Sequence, residues 1–210
     1  MAEHHYLIVA NGDWPEIESL RSLTESSWKI IACDGAAEQC IEEKIPFNVV
    51  IGDMDSISEK FRSQLNLRND IQFIVQEGQH ENDLVKAMKW AIEDGAKHID
   101  IVGVEGGEVD HQFAAIMALC EVQFSARIYT SKTTVELIKK SGYQNTSLLK
   151  GSTFSLFAVG EVKGLSVTGC KWNLENKSMH PGTNGLHNIV AENRLEIQYK
   201  SGLLLLFLNR

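Results

Sequence analysis

The sequence has a deficit of basic residues and no paired cysteine motif. Lysine and arginine together number 20 against 28 aspartates and glutamates, which gives a formal net charge of −8. A general nucleic-acid-binding protein needs a basic face, so this balance argues against that class. The four cysteines form no C-x-x-C pair, which favours reduced thiols over a disulfide framework or a zinc site. We therefore expect any phosphate ligand to be met by a few placed side chains or by a metal ion.

Long apolar segments and the common glycine-rich nucleotide motifs are also missing. No basic segment precedes a long apolar run at the N-terminus, so we expect no signal peptide. The C-terminal "GLLLLFLNR" is too short to span a membrane and predicts a buried strand. Neither G-x-x-x-x-G-K-[ST] nor G-x-G-x-x-G is present, so any nucleotide would be bound without these two motifs. These absences lead us to expect a cytoplasmic protein with no membrane or nucleic-acid partner.

The first part of the chain alternates between short apolar runs and helical patterns. With 43% hydrophobic residues, the 210-residue chain has room for one large or two small globular domains. Up to about residue 131, alternating strands and helices predict a mostly parallel sheet with helices on both faces. The predicted strands are "HYLIVAN", "KIIAC", "FNVVIG", "IQFIVQ", "HIDIVGV" and "ARIYTS".

The pattern changes after about residue 145. Short β-like runs are separated there by Gly, Asn and Ser, without a convincing helix, which predicts an all-β sandwich or a barrel-like domain. The intervening "TTVELIKKSGYQ" is ambiguous, and we interpret it as strand and linker. We therefore predict an α/β domain over residues 1–140 and a β-sandwich domain over residues 141–210. The predicted strands of the second domain are "STFSLFAVG", "GLSVTGCKW", "NIVAE", "RLEIQYK" and "GLLLLFLN".

Polar residues and glycines follow the predicted strands of the first domain. Because the carboxyl ends of parallel strands meet at one edge, where open α/β folds bind ligands, these residues are expected to lie together. Helix N-termini reach the same edge and offer free N–H groups to phosphate. The segments concerned are 11–13, 34–35, 52–56, 77–78, 80–87 and 106–111.

Asp53 and Asp55 stand one residue apart after the third strand. In an extended chain they project to the same side, roughly 6–7 Å apart at the backbone. Their carboxylates can then converge on one hard cation, and Mg²⁺ commonly uses one or two carboxylates together with substrate phosphates. The alternative is that Asp53 caps a turn and that Asp55 or Ser56 caps the next helix.

The segment "ENDLVKAMKWAIEDG" predicts a helix that begins near Asp83. Asn82 or Asp83 can be its N-cap, and an acid at a helix start is stabilised by the helix dipole. A cation in the first turn is disfavoured, so Lys86 suggests a compensating bound anion and is a candidate phosphate ligand.

The segment "GVEGGEVDHQF" joins the fifth strand to another helix. Gly106 and Gly107 permit positive φ and close approach of the backbone to a ligand. Asp110 is predicted to be the N-cap of the helix. His111 is either a ligand contact or an ordinary helix-start histidine.

Several segments, in this order, resemble the thiamine pyrophosphokinase family over essentially the whole chain. They are "ACDGAA", "VVIGDMDSIS", "ENDLVKAM", "GVEGGEVDH", "GCKWNLENKS" and "GTNGLHN". The resemblance implies an N-terminal α/β domain and a C-terminal β sandwich. It also implies a homodimer, with each active site between domains of two subunits. The implied reaction transfers the pyrophosphoryl group of ATP to thiamine and gives thiamine diphosphate and AMP, with Mg²⁺.

Carried over residue by residue, the resemblance assigns three groups of positions. The implied catalytic and metal-binding acids are Asp53, Asp55 and Asp83, and either Asp55 or Asp83 could accept the proton of the alcohol. The implied ATP-binding residues are Asn11, Gly12, Asp34, Gly35, Gly52, Lys86, Gly106, Gly107, Asp110 and His111. The implied thiamine-binding residues are Trp172, Thr183, Asn184, His187 and Asn188.

Two positions depart from the pattern of the family. Glu108 stands where the family usually has Arg after the glycine pair, and His187-Asn188 stand in place of Ser-Asn. We expect Glu108 to point to solvent, the alternative being that it joins carboxylates around a second Mg²⁺. The departures leave open a related pyrophosphokinase for another alcohol, or a non-catalytic module that binds nucleotide or thiamine.

Overall fold

The protein consists of two compact units in a computed structural model, Met1–Ser131 and Lys132–Arg210. The structure describes residues 4–53, 70–75, 81–139 and 142–209. The boundary predicted at residues 140 and 141 lies inside the second unit. The division comes earlier because the segment Thr133–Leu137 pairs with the last strand of the second unit.

The elements of the first unit are β1 (His5–Val9), α1 (Ile17–Ser26), β2 (Lys29–Cys33), α2 (Ala36–Glu42), β3 (Val49–Gly52), β4 (Gln72–Val75), α3 (Asp83–Glu93), β5 (His98–Val102), α4 (Val109–Val122) and β6 (Ala126–Tyr129). Among the described residues, these strands form a sheet in the order β4-β3-β2-β1-β5-β6, and each pairing between neighbours is parallel. The segment "SEKFRSQLNL", whose pattern predicts a further helix over residues 58–67, lies outside the described residues.

The central strands of this sheet are covered on both faces. Every residue of β1 from Tyr6 to Val9 is buried, and successive side chains of a strand point to opposite faces. On one face, Leu7 and Val9 pack with Leu20 of α1 and with the buried residues of α2. Helix α3 packs against β1, β2 and β3. Such strands must be apolar throughout, so polar side chains are pushed to the strand ends.

The second unit is built from antiparallel strands, and its described residues contain no helix. The C-terminal apolar run forms a strand with Leu204, Leu205 and Leu206 buried, as predicted. The elements are β7 (Thr133–Leu137), β8 (Tyr143–Asn145), β9 (Thr153–Thr168), β10 (Leu174–Met179), β11 (Asn188–Ile189), β12 (Leu195–Gln198) and β13 (Ser201–Asn209).

Strand β9 organises the second unit and differs from the prediction. Two runs predicted as separate strands form one strand of 16 residues. Its first part pairs with β11 and β13, and its last part pairs with β10 and β12. Gly160 and Gly164 have positive φ within it, so the backbone changes direction without ending the strand. Strand β10 was not predicted, because "LENKSM" is largely exposed and lacks an apolar run.

Within the parts of the chain that the structure describes, each helix is too short or too polar to cross a lipid bilayer.

Asp94 links the end of α3 to two strands. The Tyr6 hydroxyl donates to Asp94 Oδ2 at 2.6 Å, and Lys29 Nζ forms an ion pair with the same oxygen. Burial alone would raise the pKa of Asp94, but the hydrogen bonds from Lys29 and Tyr6 outweigh it and lower the pKa. A carboxylate at a helix C-terminus is disfavoured by the dipole, so these partners are what stabilise its charge there.

We predict that Asp94→Asn lowers the free energy of unfolding at neutral pH by about 1 kcal/mol, since the pair is partly exposed. Because the pKa is lowered in the folded state, the contribution is complete above the ordinary carboxyl value of 3.8 and is lost as the pH falls below it. Urea unfolding at several pH values measures the difference. Glu93→Gln, at the preceding exposed position, is the control. A difference between wild type and Asp94→Asn that does not shrink in acid would contradict this account.

Candidate functional site

A cavity of about 610 Å³ lies at the carboxyl ends of β1, β2, β3 and β5. It is bounded by the loops that follow these strands and by the N-terminal turns of α3 and α4. The tertiary structure thus brings together residues that are up to about a hundred positions apart in the sequence. The predicted residues that line it are Asn11, Gly12, Asp34, Gly35, Asp53, Asp83, Lys86, Gly107 and His111.

Among the described residues, three of the predicted ATP-binding positions are not part of this lining. Gly52 ends β3 and is buried, and a Cβ there would lie 2.7 Å from Cβ of Asp34, so glycine is required for packing. Gly106, with φ +83°, lines a neighbouring cavity instead. Asp110 is exposed, and its Oδ1 accepts from the backbone N–H of His111 at 2.9 Å.

The predicted N-cap at Asp110 is wrong. The extended residue before α4 is Glu108, so the helix begins at Val109 and Asp110 lies in its first turn. Glu108 is exposed and makes no side-chain capping hydrogen bond. Asp55 and Ser56 lie outside the described residues, as do residues 77 and 78.

The loops after β1 and β5 are held against each other by their backbones. The Gly12 N–H donates to the Gly103 carbonyl at 2.7 Å, and the Asp13 N–H donates to the Glu105 carbonyl at 2.7 Å. A Cβ at Gly12 would collide with the carbonyl oxygens of Glu105 and Gly103. Gly12 is therefore required for the close approach of the two loops, which forms one wall of the cavity.

The cavity carries a large excess of negative charge. Lys86 is the only lysine or arginine among the described residues that line it. Asp34 is 4% exposed at the end of β2, and Asp53 is exposed at the end of β3. A polyphosphate could enter such a cavity only together with cations, because like charges repel strongly where water is partly excluded. Among the described lining residues, the five carboxylates belong to Asp34, Asp53, Glu81, Asp83 and Glu105.

Lys86 has a partner in the first turn of its own helix. Its Nζ lies 3.0 Å from Asp83 Oδ1, and the residue is 6% exposed. The N-cap of α3 is Asn82, whose Oδ1 accepts from the Val85 N–H at 2.9 Å. Asp83 offsets the unfavourable position of a lysine at a helix start, and a buried lysine needs such a partner.

Cys33 also lines the cavity, and its surroundings disfavour the thiolate form. Burial raises the pKa of its thiol, and the nearby charges of Asp83 and Asp34 raise it further. A thiol that stays protonated is a poor nucleophile. Cys33 is therefore a packing residue at the end of β2.

Two carboxylates of the described lining were assigned no role from the sequence. Glu105 follows β5 at the same edge as the predicted residues, and its carboxylate accepts hydrogen bonds from the Ser131 N–H and hydroxyl. The rule that polar residues gather after strands would have included Glu105, since it directly precedes the glycine pair. Glu81 lies in the segment 80–87, which the same rule placed at this edge, but no individual role is predicted for it from the sequence.

The second unit contains a separate cavity of about 590 Å³. Trp172, Asn184 and Asn188 line it, with Lys177 and His180 among the polar neighbours. Thr183 and His187 are exposed and are not among its described lining residues. The apolar part of the lining includes Phe154, Leu156, Leu165, Leu174, Met179 and Leu186.

Asn188 holds the backbone of Trp172 in place. Its Oδ1 accepts from the Trp172 N–H at 3.2 Å, and its Nδ2 donates to the Trp172 carbonyl at 2.9 Å. The indole of Trp172, 52% exposed, has Lys171 Nζ at 4.5 Å from its ring centroid. The exposed aromatic side chain is thus fixed at its backbone and already has a cation over its ring.

His187 has a different local role from its neighbour. Its backbone lies at φ +54°, and its N–H donates to the Ser155 hydroxyl at 3.1 Å. The residue serves as a turn position that brings the loop back toward β9.

Sequence profiles of two domain families match the chain. The profile described as "Thiamin pyrophosphokinase, catalytic domain" matches residues 20–145. The profile described as "Thiamin pyrophosphokinase, vitamin B1 binding domain" matches residues 133–204.

Individual proteins are similar along almost the whole length. Thiamine pyrophosphokinase of Bacillus subtilis is 24% identical over 208 residues, which is 95% of each chain. Its crystal structure has a TM-score of 0.84 at 22% identity and covers 98% of both chains. Yeast thiamin pyrophosphokinase has a TM-score of 0.77 at 17% identity, over 99% of this chain and 87% of that one. At such identities the structural likeness shows the fold, and the profile match shows the family. The chain belongs to the thiamin pyrophosphokinase family.

Proposed function

We propose that this enzyme transfers the pyrophosphoryl group of ATP to the hydroxyl of thiamine, giving thiamine diphosphate and AMP. The observation that carries the proposal is the acidic cavity at the strand ends, in a chain that matches both domains of the family. In this reaction the thiamine oxygen attacks the β-phosphorus, the bond from that phosphorus to the α,β-bridging oxygen breaks, and AMP leaves. The proton of the alcohol goes to a carboxylate, either Asp55 or Asp83.

The acidic lining fits a requirement for Mg²⁺. We propose that Asp53, Asp55 and Asp83 hold the ion, because carboxylate oxygens are the donors that hard cations prefer. Bound Mg²⁺ would offset the charge of the phosphates that face these carboxylates. The fit is supported by the five carboxylates and single lysine among the described lining residues.

The other residues of the cavity position the nucleotide. We propose that Lys86 contacts the phosphates from its place beside Asp83 and that the N-terminal turns of α3 and α4 offer N–H groups to them. Gly12, Gly35 and Gly52 have no side chain, so neighbouring backbone segments and the Asp34 side chain can lie close to them. Asn11, Gly106, Gly107, Asp110 and His111 complete the proposed ATP-binding set.

The second unit is proposed to bind thiamine. Trp172 would stack on the cationic ring, and Asn184 shares its cavity. Asn188 would act through the two hydrogen bonds that hold Trp172. Thr183 and His187 remain proposed contacts on the same loop.

On the family pattern, we propose a homodimer with each active site between domains of two subunits. The first domain is then the α/β nucleotide-binding domain, with a parallel sheet and helices on both faces. The second is a β sandwich for thiamine binding and dimerisation. We also propose a cytoplasmic location, which is supported by four buried cysteines that form no disulfide.

The two positions that depart from the family pattern, Glu108 and His187, are both exposed, and neither is among the described residues that line the two cavities.

The proposed reaction predicts its products. Incubation of the purified protein with ATP, Mg²⁺ and thiamine should give AMP and thiamine diphosphate in equal amounts, measured by chromatography. Omission of thiamine is the control and should leave ATP intact. Formation of ADP and thiamine monophosphate would contradict pyrophosphoryl transfer.

We predict that Asp53→Asn and Asp55→Asn each lower kcat at least tenfold, a loss of about 1.4 kcal/mol of transition-state stabilisation. The reason is the removal of one anionic oxygen donor from the proposed metal site. Turnover is measured at saturating Mg²⁺, with Glu18→Gln in the exposed first turn of α1 as the control. Near-wild-type turnover of both aspartate variants would mean that the two aspartates only stabilise the turn after β3.

We predict that Trp172→Ala raises the KM for thiamine about fivefold or more, since a partly desolvated cation–π contact is worth about 1 kcal/mol. Trp172→Phe should have a smaller effect, and the KM for ATP should not change. The matched control is Trp28→Ala, because Trp28 is also exposed but belongs to the first unit. A folded Trp172→Ala variant with an unchanged KM for thiamine would rule out stacking.

A further inference from the structure

Two histidines and one aspartate converge at the edge of the first unit's sheet that lies opposite the cavity. His5 begins β1 and His98 begins β5, and the two residues are partners in the parallel register. Asp100 follows on the same face of β5 and is buried. His5 Nε2 lies 2.8 Å from Asp100 Oδ2, and His98 Nε2 lies 3.1 Å from Asp100 Oδ1.

The spacing of the three groups suits a single metal ion. Their ligand atoms all lie within 4.8 Å of one another. Tetrahedral coordination with bonds of about 2.0–2.1 Å places ligand atoms roughly 3.3–3.4 Å apart. Small rotations of the two imidazoles would therefore open the present contacts to that distance without movement of the strands.

The surroundings of His5 Nε2 also favour a bound metal ion. Although His5 Nε2 is close to Asp100, it is buried and has no aligned hydrogen-bond partner among the described residues. A buried nitrogen without such a partner is costly. An ion bound between His5 and Asp100 would satisfy it.

Neighbouring side chains can orient the ligands. His98 Nδ1 lies 2.9 Å from the Ser125 hydroxyl, which can accept a hydrogen bond from Nδ1–H in the tautomer whose unprotonated Nε2 binds an ion. Asp100 accepts a hydrogen bond from the hydroxyl of Tyr129. Arg127 is the register partner of Asp100, and its Nη1 donates to Tyr129 Oη at 3.4 Å. The guanidinium adds positive charge nearby, so one carboxylate must offset both Arg127 and the ion.

We infer that His5, His98 and Asp100 form a binding site for one transition-metal ion of the zinc class. Two imidazoles with one carboxylate favour such an ion over Mg²⁺, which prefers oxygen ligands alone. Gly103 at the cavity is five positions beyond His98 along β5 and its extension, or roughly 16 Å away at about 3.3 Å per position. The site is therefore distinct from the proposed Mg²⁺ site, and it ties the starts of β1 and β5 together.

The test uses the full-length, untagged, metal-free protein titrated with Zn²⁺ and, separately, with Co²⁺. We expect one ion per chain at this site and a visible Co²⁺ spectrum typical of imidazole ligation at low coordination number. We also expect a rise in Tm of at least about 3 °C at a hundredfold excess of Zn²⁺ over Kd. Absence of binding, or a Co²⁺ spectrum like that of the aqueous ion, would overturn the inference.

Variants identify the ligands. His5→Gln and His98→Gln should each abolish the Co²⁺ spectrum and the shift in Tm, with turnover of ATP and thiamine unchanged. His4→Gln is the matched control, because His4 is the preceding exposed residue and its ring faces Trp28. His111→Gln tests the exposed group of Glu108, Asp110 and His111 at the start of α4. Retention of the ion in His5→Gln and His98→Gln, or its loss in His111→Gln alone, would overturn the inference. The wild-type spectrum decides the question if a variant fails to fold.

Discussion

The parallel register of β1, β2, β3 and β5 is the constraint on which the first unit depends. Because these strands are covered on both faces, their interiors accept only apolar side chains, and the polar residues must follow the strands. Parallel register then places all four ends at one edge. The acidic cavity is the consequence, and it is closed on one side by the backbone contact between the loops that contain Gly12 and Gly103.

Negative charge is the second constraint of this unit. Asp34, Asp53 and Asp83 face one cavity, and the single lysine in the described lining already forms an ion pair with Asp83. Such a cavity would repel a polyphosphate that carries no cation, whereas it can bind one that carries a divalent cation. The chemistry of the family, in which charge neutralisation and positioning outweigh covalent catalysis, matches this arrangement.

In the second unit, contacts to the backbone likewise fix the position of an aromatic side chain, that of Trp172. Strand β9 turns at Gly160 and Gly164 and offers pairing edges to four other strands. The Asn188 side chain, from the short strand β11, hydrogen-bonds to both backbone groups of Trp172. The indole therefore lies at a fixed position beside the cavity. Because folding has already ordered this backbone, ligand binding does not carry the entropy cost of ordering it.

The sequence by itself determined the alternation of strands and helices, the change to antiparallel strands, and the location of Asp34, Asp53 and Asp83 at one edge. It did so because buried parallel strands are apolar throughout and their ends are punctuated by Gly, Asn and Asp. Tertiary structure alone decided that Asn188 hydrogen-bonds to the backbone of Trp172 and that two apolar runs form the single strand β9. It also brought His5 to the side of His98 and Asp100. These outcomes depend on which distant backbone segments meet, and local periodicity carries no information about that.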